Sequence, residues 1–175
     1  MNKLTSIIEN IKYNYLRPNQ IYESIFDIDF GQLYDDGIRS LLIDIDNTLI
    51  SYTEDNPSLQ CINLFNKVKT YGFDSIILLS NHSSTQRVGQ VAKQLDIPGV
   101  AFSCKPFIFT ARRIMKNHNM TAKTTAMIGD QLLTDVLLGS FLNLTTIFVD
   151  PIDAKNVSFL KKNQYRFQQI ILNSF

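Results

Sequence analysis

The sequence predicts an α/β fold: a Rossmann-like, three-layer arrangement in which helices cover both faces of a parallel sheet. Apolar runs such as Ser40–Ile45 and Ser75–Leu79 are nearly continuous, as expected of strands that are buried on both faces. Segments with helical periodicity separate these runs, and such alternation is typical of βαβ units. A chain of 175 residues is long enough to bury one core, so we expect a single domain.

The N-terminal part is predicted to be mainly helical. Apolar residues at helical spacing predict an amphipathic helix over residues 3–16, which Pro18 ends. Ser24–Ile28 is predicted to be extended, and Asp29 is suited to cap a short helix that stops at Gly37. We therefore divide the single domain 1–175 into an N-terminal helical extension (1–37), a catalytic core (38–150) and a C-terminal helix (151–175).

Strands and helices alternate through the remainder of the chain. Strands are predicted at 40–45, 75–79, 100–102, 124–128 and 144–149, and helices at 57–72, 83–95, 106–118, 131–141 and 155–173. The last helix is expected to turn Leu160, Phe167 and Ile171 toward the sheet.

Composition excludes several classes of protein. Apolar residues make up 45% of the chain and charged residues 19%, which excludes an intrinsically disordered protein. A net charge of +1 argues against nucleic-acid binding. The apolar runs are far shorter than the ~20 residues of a membrane span, and no signal sequence is evident, so we expect a cytoplasmic protein. Two distant cysteines suit a reducing compartment, and Cys104 is expected to be buried as a small apolar residue.

The near-neutral charge conceals an asymmetry. Nine acids and one base lie between Glu23 and Asp55, whereas seven bases and one acid lie between Arg87 and Lys123. Residues 154–175 add four bases and no acid. A cation site beside an anionic substrate would explain this pattern, and so would ordinary solvated surface.

Polar side chains follow four of the predicted strands at the point where each ends. In chain order these are Asp44, Asp46 and Thr48, then Ser80 and Asn81, then Lys105, then Asp130 with Asp135. The carboxyl ends of parallel strands meet at one edge of a sheet, so these groups are expected to converge. Each alone has a simple structural explanation, but clustered carboxylates repel one another unless a cation lies among them. Oxygen ligands without nearby His or Cys favour Mg²⁺ over zinc.

These four groups resemble, in order and spacing, the four motifs of the haloacid dehalogenase-like (HAD) phosphatases. The resemblance implies that Asp44 is the nucleophile that forms an aspartyl-phosphate, and that Asp46 is the general acid and then the general base. It also implies that Ser80 and the backbone N–H of Asn81 hold the phosphoryl oxygens, while Lys105 neutralises charge.

The same resemblance implies a metal site. Asp130, the carboxylate of Asp44 and the backbone carbonyl of Asp46 would ligate Mg²⁺, with Asp135 as a supporting or water-mediated ligand. Thr48 would steady the loop by a side-chain hydrogen bond. The 34 residues from Asp46 to Ser80 leave no room for an inserted cap domain. An open site of this kind suits a phosphate that projects from something large, or one that a partner subunit covers.

More narrowly, the chain resembles the YqeG-type branch of the capless HAD subfamily IIIA. The most specific string is Ile128–Val136, and Arg17–Pro18, Arg87–Val88 and Ile97–Pro98 also match. The branch includes phosphatidylglycerophosphate phosphatases, which implies a membrane-presented phospholipid headgroup as substrate and peripheral contact with the inner membrane face. The chain departs from the branch at His82, where a second Asn is usual, and at Phe141, where an Arg is usual.

Several alternatives remain open at this point. The substrate could instead be a soluble sugar phosphate or nucleotide, or the chain could be a catalytically idle binding module. His82 could contact the leaving group or simply begin a helix. Arg112, Arg113 and Lys116 could face lipid headgroups or solvent, and the terminal helices could lie on a bilayer or pack on the sheet.

Overall fold

Six parallel strands form one sheet in the order β1-β6-β5-β2-β3-β4 in the computed structural model, which describes residues 9–154 and 158–175. The strands are β1 (Gln20–Tyr22), β2 (Ser40–Ile43), β3 (Ser75–Leu79), β4 (Gly99–Val100), β5 (Thr125–Gly129) and β6 (Thr145–Val149). The helices are α1 (Phe30–Asp35), α2 (Leu59–Thr70), α3 (Thr85–Leu95), α4 (Ile108–Asn117), α5 (Leu137–Phe141) and α6 (Phe159–Leu172). The predicted α/β fold is confirmed.

The central strand divides the core between the two faces of the sheet. Leu41 and Ile43 of β2 belong to one apolar cluster, and Leu42 between them belongs to another. Side chains alternate between the faces of a strand, so this division places buried layers on both sides of the sheet. All four residues of β2 are buried, which explains why its sequence is an unbroken apolar run.

Helix starts follow the capping chemistry of the sequence. Ser58 caps α2 by accepting a hydrogen bond from Cys61 N, and Ser84 caps α3 by accepting one from Arg87 N. Only one helix separates β2 from β3 and only one separates β3 from β4, so no large cap domain interrupts these described segments. Over the described residues, none of the helices combines the length and apolar character that a membrane span requires.

The N-terminal segment differs from its predicted form. Residues 20–22 form strand β1, paired in parallel with β6, and Ile25–Asp27 form a 3-10 turn capped by Ser24 where an extended piece was expected. The strand was missed because three residues are too few to show periodicity. Of the predicted helix over 3–16, residues 9–16 are helical and the rest lies outside the described residues.

The buried side of α6 is a correction. Leu160 and Phe167 were expected to face the sheet, but both are exposed, and the helix buries Tyr165, Gln168 and Ile171 instead. Two polar side chains take the inner positions because they hydrogen-bond to groups at the strand ends, which offsets the cost of burying them.

The position of Cys104 is a second correction. This residue was expected to be buried but is exposed, on a turn where its φ is +57°.

Candidate active site

The predicted site residues lie at one edge of the sheet because three neighbouring strands end there together. Ile43 of β2 pairs with Ile128 of β5 and with Leu78 of β3. The residues that follow these strands therefore emerge side by side in the order β5-β2-β3. This edge, where the strands end, is called the rim below. Seven of the predicted site residues are buried at the rim: Asp44, Asp46, Thr48, Ser80, Lys105, Asp130 and Asp135.

Lys105 is the positive centre of the site. Its Nζ forms ion pairs with the carboxylates of Asp44 and Asp135, the latter at 2.8 Å, and donates to the carbonyl of Leu79 at 2.6 Å. Burial alone would lower the pKa of Lys105, but the carboxylates of Asp135 and Asp44 outweigh it and hold that pKa above its usual range. The ammonium is therefore a permanent charge within the cluster.

Asp44 is held from both sides. One carboxylate oxygen pairs with Lys105, and the other accepts a 3.1 Å hydrogen bond from the Thr48 hydroxyl. Burial raises the pKa of Asp44 to about 7; Lys105 opposes this shift, and the carboxylates of Asp135 and Asp46 add to it. The ionised form of this carboxyl therefore depends on positive charge nearby.

The carboxylate of Asp46 points away from that of Asp44 toward a buried arginine. Arg87 Nη1 lies 2.5 Å from Asp46 Oδ1, and the Ser80 hydroxyl donates to Asp46 Oδ2 at 2.9 Å. The same guanidinium donates to the carbonyl of Glu54 at 2.8 Å, and its Nε lies 3.3 Å from Asp55 Oδ1. One arginine on α3 thus ties Asp46 to the loop that follows β2.

Asn81 organises the loop that carries Lys105. Its side-chain oxygen accepts hydrogen bonds from Ser103 Oγ at 2.8 Å and from the backbone N of Lys105 at 2.7 Å, and its amide donates to the Lys105 carbonyl at 2.9 Å. Phe102 and Cys104 have φ values of +51° and +57° in this loop, and the Lys105–Pro106 peptide is cis. The side chain of Asn81 therefore fixes the position from which Lys105 enters the site.

Three carboxylates form a group able to hold a metal ion. Oxygens of Asp44, Asp130 and Asp135 lie within 4.8 Å of one another, and Asp130 Oδ1 is buried without a hydrogen-bond partner among the residues that the structure describes. Burial raises the pKa of Asp130 well above its usual range, and Asp44 and Asp135 add to that rise. A side chain on Gly129 would collide with the carboxylate of Asp135, so glycine is required for this close approach.

Charge counting supports a divalent cation at this group. Four buried carboxylates (Asp44, Asp46, Asp130, Asp135) face two buried cations (Lys105, Arg87), an excess of two negative charges among these six buried groups when all are ionised. An unpaired buried charge is costly, and a bound divalent cation would balance the excess. Oxygen donors alone suit a hard cation.

The C-terminal helix α6 completes the site with residues that the motif spacing did not suggest. The Tyr165 hydroxyl donates to Asp130 Oδ2 at 2.9 Å and accepts a 2.8 Å hydrogen bond from the Asn47 amide. Gln168 donates to the Asp130 carbonyl at 3.1 Å and accepts from Leu132 N at 2.7 Å. Burial and Asp130 raise the pKa of the Tyr165 hydroxyl, so it remains a donor.

Arg87, Tyr165 and Gln168 give different signals in the sequence. Arg87 was noted only within a family match, and no local spacing links it to Asp46, which lies 41 residues earlier. Tyr165, Gln168 and Ile171 follow one another at intervals of three residues. That periodicity would identify the inner face of α6 from the sequence if polar residues were counted as candidates for burial along with apolar ones.

A cleft of about 400 Å³ opens beside Asp46. Tyr52, His82, Ser84 and Arg87 are among its lining residues. His82 Nδ1 accepts a hydrogen bond from Ser84 N at 2.9 Å, so the ring is held at the start of α3 while it lines the cleft. His82 therefore lies just before α3, and its contact with a leaving group stays a prediction.

Comparison with known proteins gives consistent matches. The model of a family described as "Mitochondrial PGP phosphatase" matches residues 5–153. The chain is 28% identical over 160 residues to "Probable phosphatase YqeG" of Bacillus subtilis (strain 168), a match that covers 91% of each chain. The match therefore extends over nearly the whole of both chains.

Two solved structures share the fold. One is the cobalt-bound deoxy-D-mannose-octulosonate 8-phosphate phosphatase (YrbI) of Haemophilus influenzae, with a TM-score of 0.53 and 18% identity over 79% of this chain and 90% of that one. The other is an uncharacterised protein of Listeria monocytogenes serotype 4b, with a TM-score of 0.53 and 11% identity over 78% of this chain and 99% of that one.

Proposed function

The chain belongs to the PGP phosphatase family of HAD-type phosphoric monoester hydrolases, and from this premise we propose that it dephosphorylates phosphatidylglycerophosphate to phosphatidylglycerol. The observation that carries the chemistry is the contact of Asp44 with Lys105 and Thr48 at the end of β2. Family membership makes a catalytically idle module the weaker alternative. The substrate and the residue roles below are our proposal.

Asp44 is the proposed nucleophile. Its carboxylate oxygen attacks phosphorus, the bond from phosphorus to the lipid glycerol oxygen breaks, and an aspartyl-phosphate forms. Asp46 gives its proton to the departing glycerol oxygen. Water then attacks the phosphoryl group, Asp46 takes the proton from that water, and phosphate leaves with Asp44 regenerated. Arg87, the ion-pair partner of Asp46, lines the 400 Å³ cleft, and we expect the leaving group on that side.

Charge stabilisation comes from the groups around the phosphoryl position. Lys105 neutralises charge shared by Asp44 and the phosphate, and its contact with Asp135 keeps the ammonium in place. The Ser80 hydroxyl, which now donates to Asp46, and the backbone N–H of Asn81 are the proposed donors to phosphoryl oxygens. The Thr48 hydroxyl holds in position the Asp44 oxygen that does not pair with Lys105.

Mg²⁺ is the proposed cofactor. Asp44, Asp130 and the backbone carbonyl of Asp46 would hold it, with Asp135 in support, and the unpartnered Asp130 Oδ1 fits that role. When bound, the ion supplies charge neutralisation and polarises a phosphoryl oxygen. The protein's own contribution is to hold the carboxylates close together in a buried position, where the raised pKa values of Asp44 and Asp130 make their ionised forms depend on nearby positive charge.

A lipid substrate is supported by the form of the site and by its charge. No large cap covers the rim in the described segments, so a headgroup at a membrane surface can reach Asp44 without leaving the bilayer. Five Lys or Arg residues and no acid lie between Asp96 and Asp130. The cleft beside Asp46 favours a second candidate, a small soluble sugar phosphate, which would fit a space of about 400 Å³.

The test compares three substrates under one set of conditions: phosphatidylglycerophosphate in mixed micelles, a soluble sugar phosphate and a generic phosphomonoester. We expect the lipid to give the highest kcat/KM, with loss of activity in chelator and in Asp44→Asn. Asp74→Asn, at an exposed position far from the rim, is the matched control and should retain activity. A higher kcat/KM for the sugar phosphate would overturn the lipid assignment, and full activity of Asp44→Asn would overturn the nucleophile.

A further inference from the structure

Three exposed phenylalanines lie within eight residues of one another around the loop that carries Lys105. Phe102, Phe107 and Phe109 are 55%, 67% and 78% exposed. Isolated apolar side chains are common on protein surfaces, but a cluster of large ones next to a functional site indicates an interaction surface. A partner for this cluster would offer an apolar environment in which burial of aromatic rings is favourable.

The backbone holds these rings outward. Phe102 has a φ of +51°, a conformation that bulky residues rarely adopt, and it is maintained by hydrogen bonds from Phe102 N to the His82 carbonyl and from Ser103 N to the Ser80 carbonyl. Asn81 fixes the next residues of the loop through its side chain. The loop is therefore a fixed platform at the rim, beside Lys105.

Positive charge follows the aromatic rings along α4. Four exposed residues of α4 are spaced three or four positions apart: Phe109, Arg112, Arg113 and Lys116. This spacing places them in one stripe on the outer face of the helix. The inner face of α4 buries Ala111 and Ile114. α4 begins at the rim and runs away from it, so the two arginines lie about 5 Å behind Phe109 along the helix axis.

We propose that this rim face, defined by Phe102, Phe107, Phe109, Arg112 and Arg113, docks the protein on an anionic lipid bilayer. The rings would enter the boundary between headgroups and acyl chains, to a depth of about 5–10 Å at most. The guanidinium groups, one helical turn behind, would then lie level with the lipid phosphates. The segment between Asp96 and Asp130, which carries all five of these residues, contains no acid.

A second apolar flank lies across the opening of the site. Phe159 and Leu160, in the first turn of α6, are 74% and 79% exposed. The next residue, Lys161, places its Nζ 3.1 Å from the ring centre of Tyr52, in the loop that follows β2. Asp44 directly follows β2, which lies between β5, whose end contacts α6, and β3 and β4, whose ends lead to the loop of Lys105, so docking would bring the bilayer over the opening of the site.

This inference rests on the proposed function, since it supplies the surface that would present a lipid phosphate to Asp44, but it is tested without turnover. The experiment is flotation with two kinds of vesicle, phosphatidylcholine alone and phosphatidylcholine mixed with phosphatidylglycerol. We expect the wild type to bind the mixed vesicles and not the neutral ones. The Phe107→Ser/Phe109→Ser variant should lose about tenfold or more in partition. The Arg112→Gln/Arg113→Gln variant should lose roughly thirtyfold.

Matched controls remove the same chemistry elsewhere. Phe167→Ser deletes an exposed phenylalanine from the second half of α6, and Lys93→Gln/Lys123→Gln deletes two exposed cations at the opposite edge of the sheet. Both should float like the wild type. Equal losses in the control and rim variants would overturn the proposal, as would wild-type binding by the rim variants. Thermal unfolding of each variant separates lost docking from lost folding.

Two further outcomes distinguish competing explanations. If the rim face joins two copies of the chain, the wild type sediments as a dimer without vesicles and Phe107→Ser/Phe109→Ser as a monomer; that result overturns docking.

Turnover separates the docking proposal from the proposed function. If the wild type binds vesicles but does not hydrolyse phosphatidylglycerophosphate, the proposed function is rejected and the docking surface stands. If it hydrolyses this lipid in micelles but the rim variants float like the wild type, the docking surface is rejected and the proposed function stands.

Discussion

The hydroxyl of Tyr165 donates a 2.9 Å hydrogen bond to Asp130 Oδ2, while Oδ1 of the same carboxylate is buried with no hydrogen-bond partner in the described part of the chain. One oxygen is thus fixed by the C-terminal helix, and the other faces the carboxylates of Asp44 and Asp135. Such an arrangement would orient Asp130 as the metal ligand proposed above, from a residue that is not itself a ligand. It gives α6 a direct part in the site of a HAD-type phosphatase.

Removing that hydroxyl should weaken metal binding. In Tyr165→Phe the Asp130 carboxylate loses its donor, and we expect the apparent affinity for Mg²⁺ to fall about tenfold or more. Titration of activity and of thermal stability with Mg²⁺ measures the shift, while saturating Mg²⁺ should restore most of the activity. Tyr15→Phe, which removes a hydroxyl at a distance from the site, is the control. An unchanged Mg²⁺ midpoint would mean that Tyr165 does not position Asp130.

Breaking the Arg87–Asp46 pair should destabilise the protein. Both side chains are buried, and Arg87→Met leaves the Asp46 carboxylate without its cation, at a cost of about 3 kcal/mol. Urea unfolding measures this loss, and Arg166→Met at an exposed position of α6 is the control. In the double variant Arg87→Met/Asp46→Asn the loss should be smaller than in Arg87→Met alone. Additive losses would show that the pair is not coupled.

Without metal, stability should fall as pH rises. Burial raises the pKa of Asp44 from 3.8 to about 7 on folding, so between these values the folded state holds a proton that the unfolded state has released. Each pH unit in that window then costs up to about 1.4 kcal/mol from this one group. Urea unfolding in chelator across the window measures the slope, which should be shallower in Asp44→Asn. A wild-type slope that matches this variant would contradict the assigned shift.

Two glycines should respond in opposite directions to the same substitution. Gly129→Ala would force a methyl group into the carboxylate of Asp135, so we expect a loss of about 2 kcal/mol in stability and a large loss of activity. Gly89 lies within α3 and has open space around it, so Gly89→Ala should gain about 0.5–1 kcal/mol and keep its activity. Equal effects at the two positions would show that the Gly129 contact is not tight.

The strand-end residues could be predicted because strong local signals mark them. Asp44, Ser80 and Asp130 each follow an apolar run, and parallel strands bring such positions together without any knowledge of side-chain contacts. The inner face of α6 could not be predicted in this way. Leu160 and Phe167 looked like its buried side by hydrophobicity, whereas hydrogen bonds to Asp130 and Leu132 decide that polar side chains lie inside.

Long-range and conformational features were hidden for other reasons. The partners of Arg87 are set by the packing of α3 against the loop after β2, and an arginine on a helix gives no sign of where its guanidinium ends. Cys104 was expected to be buried because cysteine usually is. The turn that fixes Lys105 exposes it instead, and only the backbone angles reveal that turn.

The position of α6 in the chain also sets the order in which the site is completed during synthesis. Asp135 and every motif residue before it leave the ribosome ahead of Gln168, which follows Asp135 by 33 positions. At typical elongation rates this interval is roughly 2–7 s. During that time the nascent chain carries its acidic cluster without the hydroxyl and amide that later orient Asp130. The geometry proposed to hold a metal ion is therefore complete only after α6 has been synthesised.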